Sequence, residues 1–192
     1  MRRAFMFLLG LAFIPAALTN NTQATLIPQS FEHGGKIQAR YDGFSNETVI
    51  TLRKMRISCG RGQGLPSETC VNVAATLHAP GKQLEHVRHV TLQLIFESKD
   101  WDRRHSPKQR ELAVVADGET IRLGKMALVN QDLDTDRLID VMKEVLQISL
   151  SYKDFVKIAR AEFVEVKLGN SEFVLQPKNL AALRDLNNRV VP

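Results

Sequence analysis

Cys59 and Cys70 are the only cysteines in the chain, and the stretch they bound, CGRGQGLPSETC, raises three chemistries. A redox pair normally has two intervening residues, so this spacing does not suit one. Zinc would need further ligands at tight spacing, and none lie nearby. A structural disulfide fits best. Three glycines and a proline let the segment bend back, and an exported chain with an even cysteine count sits where such bonds persist. The bond would staple the ends of two neighbouring strands and present Arg61 on the loop between them.

Oxygen-ligand chemistry is strongest in DLDTDRLID (132–140). Asp132, Asp134, Asp136 and Asp140 match the first, third, fifth and ninth positions of a calcium loop. Arg137 stands where that loop needs glycine, Lys143 where it needs a bidentate glutamate, and Glu144 comes one residue late. The competing reading is a polar connection whose acids cap a short turn or helix. The histidines do not assemble. His86 and His89 are three apart and face opposite ways on a strand, while His33, His78 and His105 sit in turn-like contexts. Solvated or hydrogen-bonded roles are expected of them. The chain has no glycine-flanked serine elbow, no helix with paired metal-binding histidines, and no glycine loop leading to a lysine and a hydroxyl. Acid and base drawn from separate strands would leave no local signature, so a hydrolase of that kind stays as an alternative. No cofactor is expected.

The stretch best suited to binding is SKDWDRRHSPKQR (98–110), which gathers Lys99, Arg103, Arg104, His105, Lys108 and Arg110 around Trp101, the sole tryptophan. An exposed aromatic among guanidinium groups grips a polyanion, a sugar ring or an acidic partner. Alternatively, Trp101 folds back onto a sheet edge, and the charges keep the loop soluble. Trp101, Arg103, Arg104 and Lys108 are the candidate binding residues, with Arg61 second.

The elements that must hold these residues are mostly strands. TVITLRKMRISC (48–59) and CVNVAATLH (70–78) alternate, and VRHVTLQLIFES (87–98) puts Val90, Leu92, Leu94 and Phe96 on one face. ELAVVADGETIRLG (111–124) reads as a hairpin turning at Asp117-Gly118, and KMALVNQ (125–131) as its continuation. EVLQISLS (144–151) places Leu146, Ile148 and Leu150 on one face. A second hairpin spans 161–176, turning at Gly169-Asn170 with Val164, Val166 and Leu168 inward. Two helices interrupt the pattern. One follows Ser151 as N-cap over 151–161, and the other begins near Pro177 and runs to the C-terminus. The fold class is therefore mainly β (α+β): an antiparallel β-sandwich or curved sheet with two short helices.

The first 24 residues have the parts of a signal peptide: Arg2 and Arg3, an apolar stretch over 4–17, and small residues before Thr25. A membrane span needs about 20 apolar residues, and this run is shorter and carries Pro15. A signal-anchored, membrane-attached protein is the alternative. Residues 25–35 read as a flexible lead-in and 36–192 as one β-rich domain with no transmembrane span. The formal charge is +5, of which Arg2 and Arg3 belong to the leading segment, so a nucleic-acid partner is not expected.

Four stretches, YDGFSNETVITL (41–52), VTLQLIFES (90–98), LAVVADGETIRL (112–123) and FVKIARAEFVEVKLGNSEFVL (155–175), resemble a loose group of uncharacterised exported bacterial β-rich proteins. The resemblance implies a bacterial exported domain and no particular activity. The expected role is a periplasmic or extracellular non-catalytic module for binding, scaffolding or envelope association. Its partner would be an envelope polymer or another exported protein.

Overall fold

The computed structural model describes residues 33–60, 69–99, 105–134 and 141–190. In chain order the strands are β1 (Ile37–Asp42), β2 (Glu47–Cys59), β3 (Thr69–Pro80), β4 (His89–Ser98), β5 (Glu111–Ala116), β6 (Glu119–Lys125), β7 (Ala127–Asp134), β8 (Val141–Leu150), β9 (Val164–Leu168) and β10 (Ser171–Val174). Helix α1 (Tyr152–Arg160) precedes β9, and α2 (Pro177–Asn188) follows β10. A six-stranded sheet has the order β1-β2-β3-β4-β8-β7, and a four-stranded sheet the order β10-β9-β5-β6. Every pairing is antiparallel.

Alternation explains the layers. Val71, Val73, Ala75 and Leu77 of β3 and Val90, Leu92, Leu94 and Phe96 of β4 share one apolar cluster with Leu112, Val114, Val164, Val166 and Leu168 of the smaller sheet. Burying such a side chain stabilises the fold by about 1.5–3 kcal/mol relative to leaving it exposed. The opposite face of the large sheet is mostly polar. It carries a Thr51–Thr76 contact of 3.2 Å and a Gln93–Gln147 hydrogen bond of 2.8 Å.

The predicted turns and caps are present. Asp117 and Gly118 take φ of +48° and +85°, and the Asp117 carboxylate accepts the main-chain N–H groups of Glu162 and Phe163. Gly169 has φ +56°, and a β-carbon there would lie 2.6 Å from the Gln109 carbonyl oxygen. Ser151 Oγ accepts the Asp154 N–H at the start of α1, whose Phe155, Ile158 and Ala159 are buried. Leu180, Leu183 and Leu186 bury the inner face of α2, and Arg184 donates to the last carbonyls of α1 at Ala159 and Ala161.

Two expectations change. KMALVNQ does not prolong the β5–β6 meander. After Lys125 the chain crosses to the large sheet, where β7 becomes an edge strand beside β8. The packed structure also begins before Lys36. His33 is buried, with Nε2 3.3 Å from the Asp185 carboxylate of α2 and Nδ1 accepting the Gly35 N–H. Arg189 donates to the same Asp185 oxygen, so the head and tail of the described chain meet in one polar knot.

Candidate functional site at the loop end of the large sheet

Strand register decides which loops are neighbours. Cys59 pairs with Cys70, Cys70 with Glu97, Thr69 with Ser98, and Ser98 with Met142. At this end β2 leaves and β3 enters the large sheet, β4 leaves for β5 of the smaller sheet, and β7 leaves and β8 enters; the connections include 61–68, 100–104 and 135–140. Sequence reading singled out all three but did not bring them together.

The stem of the first connection is a disulfide. Cys59 and Cys70 are bonded across directly paired positions, with Cα atoms 4.0 Å apart. Beside it, Lys54 Nζ donates to the buried Glu97 carboxylate at 2.6 Å.

The stem of the second connection is held from inside the sandwich. Glu144 of β8 lies on the same side as Leu146 and Leu150, and its side chain is 2% exposed. Its Oε2 receives His105 Nδ1 at 2.6 Å and the His105 main-chain N–H at 3.4 Å. The His105 ring lies against Phe96 with centroids 4.4 Å apart, and Arg110 Nε donates to the His105 carbonyl. Nδ1 faces Glu144, and Nε2 has no hydrogen-bond partner among the described residues. The other oxygen, Glu144 Oε1, is buried and finds no donor among the described residues. This pair went unseen in the sequence, although a signal was there. Glu144 is in phase with Leu146, Ile148 and Leu150, an acid on an otherwise apolar stripe.

Of the predicted site residues, Lys108 is exposed on a short 3-10 turn (Pro107–Gln109) between His105 and β5. Trp101, Arg103, Arg104 and Arg61 lie outside the described residues, as do Asp136, Asp140 and the leading segment 1–24. Asp132 and Asp134 fall within β7, paired with Lys143 and Val141. Among the described residues no group of three or more His, Cys, Asp or Glu side chains is placed to hold a metal ion. No helix among them is long and apolar enough to cross a membrane.

A second polar group lies at the opposite, hairpin end. His78 sits in strand β3 rather than in a turn, paired with His89 of β4. Their rings stack at 4.3 Å with planes 13° apart. Glu47 contacts His78 Nδ1 at 3.2 Å and Thr91 contacts His78 Nε2 at 3.2 Å. Burial, then the His78 and Arg88 charges, hold His89 below the ordinary histidine pKa, and Glu47 opposes them. Arg40 shares this outer face across Val49. A half-open hollow of about 300 Å³ adjoins the cluster, lined by Pro80, Gly81, Lys82, Gln83, Glu85 and His86.

The lowered pKa gives a pH prediction. His89 resists protonation in the fold, so the unfolded chain binds the proton first as pH falls. Stability should therefore decline from the unfolded histidine value of about 6.5 downward, until the folded ring also titrates. Melting curves between pH 7.5 and 5 should show a shallower decline for His89→Gln than for wild type. Parallel curves would refute the assignment.

The fold is a two-sheet antiparallel sandwich with two helices, and β2, β3, β4, β7 and β8 begin or end at one end of the large sheet beside the disulfide. No family model, curated protein or solved structure matches the chain.

Proposed function

We propose that the protein is an exported, non-catalytic binding module whose ligand is received by the loop end. The carrying observation is the register that brings the flanking ends of β2, β3, β4, β7 and β8 to one end of the large sheet. The disulfide supports export, because such bonds persist outside the reducing cytosol. The signal-like N-terminus points the same way, to the periplasm or the medium of a bacterium. Trp101 serves as anchor, and Arg103, Arg104, Lys108 and Arg61 supply charge for an anionic envelope polymer or an acidic partner.

Calorimetric titration with dextran sulfate tests the reading. Replacing Trp101, Arg103 and Arg104 together by alanine should weaken binding at least about tenfold, as loss of an aromatic–arginine hot spot does. The thermal midpoint should stay unchanged. Equal binding by the triple variant, or no binding by wild type, would overturn it.

The hydrolase alternative has one observation in its favour. His105 and Glu144, from a loop and a separate strand, form a hydrogen-bonded pair. A general base needs that geometry. A hydrolase would lose turnover of an envelope polymer on His105→Ala while still binding it.

A further inference from the structure

We propose that the outer face of the large sheet, where Lys36, Arg53 and Arg56 lie, binds a linear anionic polysaccharide. Two register shifts in β2 put the charges there, one between Leu52 and Met55 and one between Arg56 and Ser58. Leu52, Met55 and Ile57 are buried in the core, while Arg53, Lys54 and Arg56 are exposed. At the first shift Arg53 and Lys54 together oppose Ala74, so both stay out of the core where strict alternation would turn one of them inward. Lys36 is exposed alongside, its carbonyl accepting the Arg53 N–H at 2.8 Å. Lys178 is exposed on the first turn of α2, next to Asn179, whose side-chain amide donates to the Arg56 carbonyl.

These cations are in excess. Lys54 is matched by Glu97, and Arg53 Nε donates to the neutral Gln38 amide. Among the described residues no ion pair holds Lys36, Arg53, Arg56 or Lys178. Asp42 and Glu47 stand six residues from Lys36 and Arg53 respectively, about 20 Å along an extended strand and beyond the screening length of about 8 Å at physiological salt. Asp185 is buried and held by His33 and Arg189, and the first turn of α2 carries no acid. The other neighbours on this face are neutral hydrogen-bonding groups, Gln38, Thr51 and Thr76. The exposed large apolar side chains of the described residues lie elsewhere: Tyr41 and Phe44 at the hairpin end, Val129 on β7 and Phe163 before β9. A protein hot spot or a stacked nucleobase would want such an anchor. Excess cations among amides and hydroxyls instead match the acidic groups and hydroxyls of a charged sugar chain. β2 runs on from Arg56 to Cys59 at the loop end, so one polymer can follow both surfaces. The inference rests on the loop-end reading for the class of polymer and assigns it further residues.

Calorimetric titration of the full chain with dextran sulfate over a range of salt concentrations tests it. The double variant Arg53→Gln, Arg56→Gln should bind about tenfold more weakly, with a shallower dependence on salt, because fewer counterions are released from the polymer. Both side chains are exposed, so its thermal midpoint should match wild type. The control is Arg122→Gln with Lys125→Gln, which removes the same charge from exposed positions of β6 and should bind as wild type does. Equal weakening in the control would make net charge the cause and overturn the proposal. Unchanged binding by the β2 variant, where the Trp101, Arg103 and Arg104 triple variant is weakened, would overturn it and leave the loop-end reading standing. The reverse pattern would support the outer face and refute the loop end. No binding by wild type would overturn both.

Discussion

Replacing His105 with alanine should destabilise the protein by about 3 kcal/mol, the upper end of the usual cost of leaving a buried polar group without its hydrogen-bond partner. Glu144 is the reason. Its carboxylate is enclosed between Phe96 and the core, and one of its oxygens already lacks a donor among the described residues. Without the imidazole, the other oxygen keeps, among the described residues, the long contact to the main-chain N–H of residue 105. A buried carboxylate left short of hydrogen-bond partners costs stability. The expected remedy is specific. Glu144→Met in the His105→Ala background replaces the charge with an unbranched apolar chain in line with Leu146. It should recover most of the loss, because exchanging a buried pair for packed apolar groups is often close to neutral. Urea unfolding of the four proteins of this cycle measures both terms. A near-neutral His105→Ala would mean that the pair does not hold the loop stem.

The second large effect belongs to the disulfide. Converting Cys59 and Cys70 to serine should cost about 3 kcal/mol, from the loop-closure entropy returned to the unfolded chain for a separation of 11 residues. The native ladder gives no compensation at that point. Cys59–Cys70 is the last β2–β3 pair, beyond two register shifts that already interrupt the pairing between Leu52 and Ser58. The change should appear as a lower urea midpoint with an unchanged slope. The core should survive, since Ile50, Leu52 and Leu77 lie further down the same strands. Loss of the folded state altogether would instead make the staple a condition of folding.

The two effects separate what was legible in the sequence from what was not. Local chemistry was legible. The alternation of Val90, Leu92, Leu94 and Phe96 marked β4, Asp117-Gly118 marked the β5–β6 hairpin, and Ser151 marked the start of α1. The cysteine pair could be read because its two strands are joined by one short connection. Non-local pairing was not legible. Nothing in 125–131 announces that β7 abandons β6 for β8, because a strand edge accepts any partner whose apolar phase agrees. The stack of His78 on His89 depends on register across the β3–β4 connection, and spacing along the chain does not determine that. Glu144 was legible in phase but not in purpose, since its partner His105 comes from the connection between β4 and β5, 39 residues earlier in the chain.

The central claim is that the loop end, with Trp101 as its anchor, receives the ligand. Trp101 is the only tryptophan, so its fluorescence reads that loop directly in the unaltered protein. Acrylamide should quench the emission freely in the absence of ligand. Dextran sulfate should shift it to shorter wavelength and shield it, and added salt should reverse both changes, as screening of guanidinium–anion contacts requires. Emission already blue-shifted and shielded before any addition, and unchanged by the polymer, would place Trp101 in the core and contradict the account.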